Sequence, residues 1–205
     1  MRVNLRKLRQ LIIFFAHHEA MKPLGKTKLF KLLYFTDVTH IRTVGEPITG
    51  AEYRKFPFGP VPTQGDFALK ELQLHRLISQ KIVPMPNQHF MREFTARQAP
   101  DMAIFTAQEI ETIHYVIQEY GKDTASVLSW RSHQEYAWLF AEEGMPLQLT
   151  SDKLSTESEN KNAAAIAWVE QWYATPDDQP PGYWDELEEE MKRHPINFGD
   201  EDFGL

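Results

Sequence analysis

Cysteine is absent from the 205 residues, which excludes disulfides, thiolate zinc sites and cysteine nucleophiles and fits a reducing compartment. Long apolar runs are missing too. The run at residues 11–16 falls far short of the ~20 residues a membrane helix needs. It is followed by His17, His18 and Glu19 with no small-residue cleavage site. Neither a membrane helix nor a signal peptide is therefore expected, and the cytoplasm is the expected location. The eight histidines include no HExxH, and His17 and His18, being adjacent, fall on different helix faces where zinc ligands cannot converge. Leu24-Gly25-Lys26-Thr27 carries the GK[ST] end of a phosphate-binding loop, but Ala20 stands where the first glycine belongs and Pro23 interrupts. Without that glycine the backbone amides cannot wrap a phosphate. No nucleophile has a base partner at recognisable spacing. The expectation is a binding module, with no enzymatic activity, cofactor or metal.

What is present centres on residues 26–62. Phe30, Leu33, Tyr34, Val38, Ile41 and Val44 recur at helical spacing, and Leu29, Leu32 and Phe35 widen the stripe until most of the circumference is apolar. Such a helix is buried and central. Gly45 is placed to end it in a left-handed cap, and residues 46–50 turn the chain into a short strand at 51–58. Phe58-Gly59-Pro60-Val61-Pro62 should continue neither element, because each proline lacks a backbone donor and restricts its predecessor.

The order KL-x-KLLYF-x-D, G-x-PITG-x-x-Y and GPVP resembles the SocA-like Panacea domain, the antitoxin domain of bacterial and phage toxin–antitoxin pairs. The residues that carry the likeness are Lys28, Leu29, Lys31, Leu32, Leu33, Tyr34, Phe35 and Asp37, then Gly45, Pro47, Ile48, Thr49, Gly50 and Tyr53, then Gly59 to Pro62. His133, Glu135 and Trp138 match an H-x-E-x-x-W that closes the pattern, so the likeness spans about residues 5–149. It implies an antitoxin that neutralises a cognate toxin by direct binding, and it allows an adaptor that delivers the toxin to a AAA+ protease.

The 42% hydrophobic content supports a real core, and the pattern divides into a domain at 1–150 and an extension at 151–205. The expected fold is mainly α with a small antiparallel sheet (α+β), its first half winged-helix-like. Residues 4–15 form an amphipathic first helix. Thr63 caps a third helix through Phe67, Leu72 and Leu77, and 78–85 with 88–97 form a hairpin whose first arm Pro84 and Pro86 confine to an edge. The short strand at 51–58 is expected to join this hairpin in one sheet. Thr106-Ala107-Gln108-Glu109 is a capping box for a helix that stops at Gly121; Asp123 caps a segment to Arg131; Ser132-His133-Gln134-Glu135 is a second capping box for a helix over 136–143, with Gly144 behind it. In the extension, a linker precedes a helix at about 162–174 and an acidic amphipathic segment at about 183–194.

Charge is uneven beneath the net −7. Up to Lys31, Arg2, Arg6, Lys7, Arg9, Lys22, Lys26, Lys28 and Lys31 face Glu19 alone, whereas acids dominate from Glu135 onward. These are solvated faces of a balanced fold, or two partner surfaces of opposite sign. A DNA-binding regulator is the competing class, but the third helix region offers only Lys70 and Arg76 against Asp66 and Glu71, poor for recognition.

Asp37, inside an apolar helix, must be paired if buried, with Lys31, Arg54 or His133 as candidates; Asp37 and His133 read as structural polar ties. Trp130 and Trp138 read as core or rim aromatics. Tyr53, Phe56 and Phe58, with Pro60 and Val61, are the expected partner contacts at the corner, since alternate residues of an edge strand point outward. Trp184, Leu187 and Met191, spaced i, i+3, i+7 among five acids, add a second contact. A helix that short is marginal alone, so it docks either on the chain's own Arg2, Arg6, Lys7 and Arg9 or on a basic toxin site as a phosphate mimic.

Overall fold

The apolar spacing through residue 44 closes into a helix, α2 (Lys26–Val44), that begins three residues ahead of Leu29, the first residue of the stripe. Gly45 ends it at φ 96°, in the left-handed region open to glycine, with its N–H on the Ile41 carbonyl at 2.9 Å. Leu29, Leu32, Leu33, Tyr34 and Val38 are all fully buried, so α2 is the axis of the core.

A computed structural model describes residues 2–84 and 90–149. The extension at 151–205, with the segments expected at 162–174 and 183–194, lies outside the described residues. The described chain is mainly helical with two small antiparallel sheets. Before α2 comes α1 (Leu5–His17); after it come β1 (Tyr53–Arg54), β2 (Val61–Pro62), α3 (Gly65–Leu74), β3 (Ile78–Pro84), β4 (Phe90–Ala96), α4 (Ala107–Tyr120), α5 (Ala125–His133) and α6 (Tyr136–Leu139). The Asn4 side chain caps α1 by accepting from the Lys7 N–H at 3.0 Å, and the helix buries Leu8, Leu11, Ile12 and Phe15 against its neighbours. α2 packs on α1, α4 and α5, with β2 and β4 along its flank.

The helix–helix–helix–hairpin order matches the expectation, but the sheet is split. β1 does not join the hairpin; it pairs antiparallel with β2, Tyr53 opposite Pro62 and Arg54 opposite Val61. Gly59 at φ 96° reverses the chain so that the proline-rich corner returns as a strand. The other edge of β1 is taken by residues 144–147: the Leu147 N–H donates to the Tyr53 carbonyl at 2.7 Å, and Gly144 and Lys55 bond through their backbones at 2.8 Å. Both edges of β1 are therefore occupied.

The helix boundaries bring further corrections. Thr106 and Glu109 form the expected reciprocal capping box. Gly121 ends α4 at an ordinary right-handed φ of −63°; glycine is required there because a Cβ would collide with Met21 and with the Ile117 carbonyl. Thr124, not Asp123, caps α5, accepting from the Val127 N–H at 3.2 Å. Ser132 and His133 complete α5 instead of opening the next helix, since the Ser132 hydroxyl bonds back to the Ser129 carbonyl at 2.7 Å. Consequently α6 starts behind Glu135 and is a single turn. α3 begins after Gln64, one residue past the expected Thr63 cap, and stops at Leu74.

Candidate functional site

The three sequence motifs meet in one buried polar core. Helix geometry puts Lys31 and Asp37 on an element with almost no solvent-facing side over those turns, and both are buried, 1% and 0% exposed. Asp37 meets none of its expected cations. Its carboxylate accepts the Thr49 N–H at 2.7 Å and the Tyr53 hydroxyl at 2.9 Å, and the Thr49 hydroxyl donates to it as well. The Thr49 oxygen in turn accepts the Ala51 N–H at 3.1 Å, closing the PITG turn on the helix. Burial pushes the Asp37 carboxyl above the usual carboxylate range, against the pull of these donors. The Tyr53 phenol, desolvated and beside that carboxylate, stays neutral well past its ordinary range. Asp37 is thus a tie between α2, the PITG turn and β1.

Lys31 closes the other half. Its ammonium donates to the Pro60 carbonyl at 2.9 Å, which fastens the GPVP corner to α2. Desolvation alone drives its pKa from 10.5 to about 7. Gly59 lies directly over it: a Cβ there would stand 2.5 Å from the Ser132 Oγ and 2.9 Å from the Lys31 Cε. Chemically this is a lysine poised to lose its proton near neutrality, yet sealed under the corner, so it positions backbone and does not meet solutes. The sequence carried one signal for it: a helix apolar around most of its circumference has to bury any cation it contains.

His133 and Trp138 join the same body from the other end of the chain. Their rings stack at 3.9 Å between centroids. The Lys55 ammonium lies 4.1 Å from the Trp138 ring centroid and donates to the Ala141 carbonyl at 3.0 Å. Burial, with Lys31 and Lys55 nearby, holds His133 well below the ordinary histidine range, so it is neutral. Glu135 reaches back to Arg42 at 2.5 Å, tying α6 to the end of α2.

The corner aromatics do not point outward. Tyr53, Phe56 and Val61 are 1–3% exposed and belong to the core, Pro60 is buried with them, and Phe58 is half-buried. The reason is the second strand: pairing with β2 turns β1 from an outward edge into the inner wall of the corner. Trp184, Leu187 and Met191 lie outside the described residues. The basic head is largely neutralised within the fold. Arg6 pairs with Asp101, Lys7 with Glu109 at 2.6 Å and Arg9 with Glu71 at 2.7 Å, while Lys28 is buried with its ammonium on the Gly121 carbonyl at 3.0 Å.

Among the described residues no group of three or more histidines and carboxylates is placed to hold a metal ion, and no helix is long and apolar enough to cross a membrane. The sequence matches the family model described as antitoxin SocA-like, Panacea domain, over residues 29–139. The chain belongs to the SocA-like Panacea domain family. No curated protein and no solved structure matches it. The matched span contains Lys31, Asp37, Thr49, Tyr53, Gly59, Pro60, His133 and Trp138, so the polar core that holds α2, the corner and α5–α6 together lies wholly inside the Panacea domain. The family is one of antitoxins, which implies a toxin as partner.

Proposed function

We propose that this Panacea domain protein is the antitoxin of a toxin–antitoxin pair and neutralises its cognate toxin by direct protein–protein binding. The family match over residues 29–139 carries the reading. Its geometry supports a binding role: Lys31, Asp37 and His133, whose proton affinities are all shifted by burial, are spent on holding elements together beneath the surface. Of the corner residues expected to meet the partner, Phe58 keeps partial exposure and leads the contact, while Tyr53, Phe56, Pro60 and Val61 set the shape that presents it. Trp184, Leu187 and Met191 supply a second contact. Delivery to a AAA+ protease is the finer alternative.

Co-expression with the product of the adjacent reading frame tests this. Growth rescue that persists in a host lacking its AAA+ proteases supports occlusion; rescue that vanishes there supports delivery. Absence of rescue in both hosts would remove the antitoxin reading.

A further inference from the structure

The outer face of the hairpin carries apolar side chains that no described element covers. Its register sets Ile82 opposite Arg92 and Pro84 opposite Phe90, and cross-strand partners and alternate residues share a face. Ile82 is 68% and Phe90 65% exposed, although nearer the base of that face Ile78 and Phe94 are buried. The end of α3 borders the same surface. There the Gln73 side-chain amide donates to the Gln80 side chain at 2.8 Å, and Leu74, beside Gln73, is 79% exposed.

This face has one sign of free charge. The acids on α3 and the hairpin are engaged: Asp66 by Lys26 at 2.5 Å, Glu71 by Arg9 at 2.7 Å and Glu93 by Lys81 at 2.8 Å. Lys70, Arg76 and Arg92 are exposed, and no ion pair joins them to another described residue. An apolar centre with a cationic rim fits a segment that is apolar on one side and anionic on the other.

The sequence contains such a segment. Trp184, Leu187 and Met191 are spaced for one helix face among Asp185, Glu186, Glu188, Glu189 and Glu190, too short to hold a helix without a surface to lie on. The cations of α1 offer it little, since Arg6, Lys7 and Arg9 already have carboxylates. Residues 150–183 connect the two parts, and the helix expected at about 162–174 would by itself run about 20 Å, so the connection is long enough to cross a small domain.

We propose that residues 184–191 dock on the surface formed by Leu74, Ile82, Phe90 and Arg92, with the apolar stripe on Ile82 and Phe90 and the acids toward Lys70, Arg76 and Arg92. This docking does not need the antitoxin reading, but it bears on one part of it: Trp184, Leu187 and Met191 meet a toxin only when released from this face.

The absence of cysteine makes disulfide trapping in the full chain a clean test. Gln80→Cys with Glu188→Cys should oxidise to an intramolecular disulfide, and adding Lys70→Glu and Arg92→Glu should lower the yield about tenfold, as should high salt. Glu46→Cys, exposed at the far end of α2, replaces Gln80→Cys in the control pair and should trap poorly. Equal yields from the two pairs overturn the proposal. So does crosslinking only as dimers, which places a second copy on the face, or a shift of duplex DNA that Arg92→Glu abolishes, which places nucleic acid there.

Discussion

Lys31 holds an ammonium in the core against one carbonyl, and its proton balance fixes how stability should respond to pH. Its folded pKa is about 7 against an ordinary 10.5, so between those values the unfolded chain binds the extra proton. Stability from this residue therefore rises with pH across that window; below pH 7 the cost of the buried charge is fully present, and above the ordinary lysine value it has gone. Lys31→Met lacks the charge but leaves the Pro60 carbonyl without its donor. Wild type should gain on this variant by up to about 1.4 kcal/mol per pH unit above pH 7 in urea unfolding. His133 and Lys55 face the same region, so the comparison is read above the range where a histidine freed from Lys31 would charge. A gap that is flat from pH 7 to 10 would mean the ammonium is not desolvated. At Asp37 the issue is satisfaction: Asp37→Ala strands the Thr49 N–H and the Tyr53 hydroxyl, at a cost of about 2–4 kcal/mol by denaturant titration. A loss within the range of surface substitutions, about half a kcal/mol, would show that the tie is dispensable.

At the scale of elements, the glycines at the two ends of the central motif separate backbone strain from packing. Gly45 and Gly59 both sit at φ 96°, but a Cβ at Gly45 meets nothing within 4 Å, whereas at Gly59 it strikes Ser132 and Lys31. Gly45→Ala should cost about 1–2 kcal/mol of left-handed strain, and Gly59→Ala at least about 1 kcal/mol more from overpacking; equal melting-temperature shifts would contradict the sealed corner. Leu33→Ala, at a fully buried site on α2, should cost about 2–5 kcal/mol. α2 was legible because a nearly all-apolar helix admits one location, and the α4 start because its capping box is local chemistry. The partners of Asp37 were not legible: a carboxylate in an apolar helix advertises a need for charge, yet a turn and a phenol supplied neutral donors. The corner misled for a related reason. Prolines marked it as a break, but a left-handed Gly59 folds it back as β2, and that pairing turns Tyr53 and Phe56 inward. Register between segments is set by such long-range returns, which no local pattern records.

For the molecule as a whole, the charge asymmetry seen along the sequence partly dissolves in space. The head's cations pair with acids from α3, α4 and the segment before α4, leaving free cations on α3 and the hairpin, so high salt should disturb what binds that face more than it disturbs the fold. With Lys31, Asp37 and His133 buried in the core, the antitoxin activity proposed above falls to the surface, as the holding of a toxin. The most direct measurement is titration of the purified full chain against the product of the adjacent reading frame, following complex formation and toxin activity together with no protease present. A stable complex is expected, with toxin activity falling in proportion to the complex formed. Undiminished toxin activity at saturating antitoxin, or inhibition with no complex, would contradict that expectation.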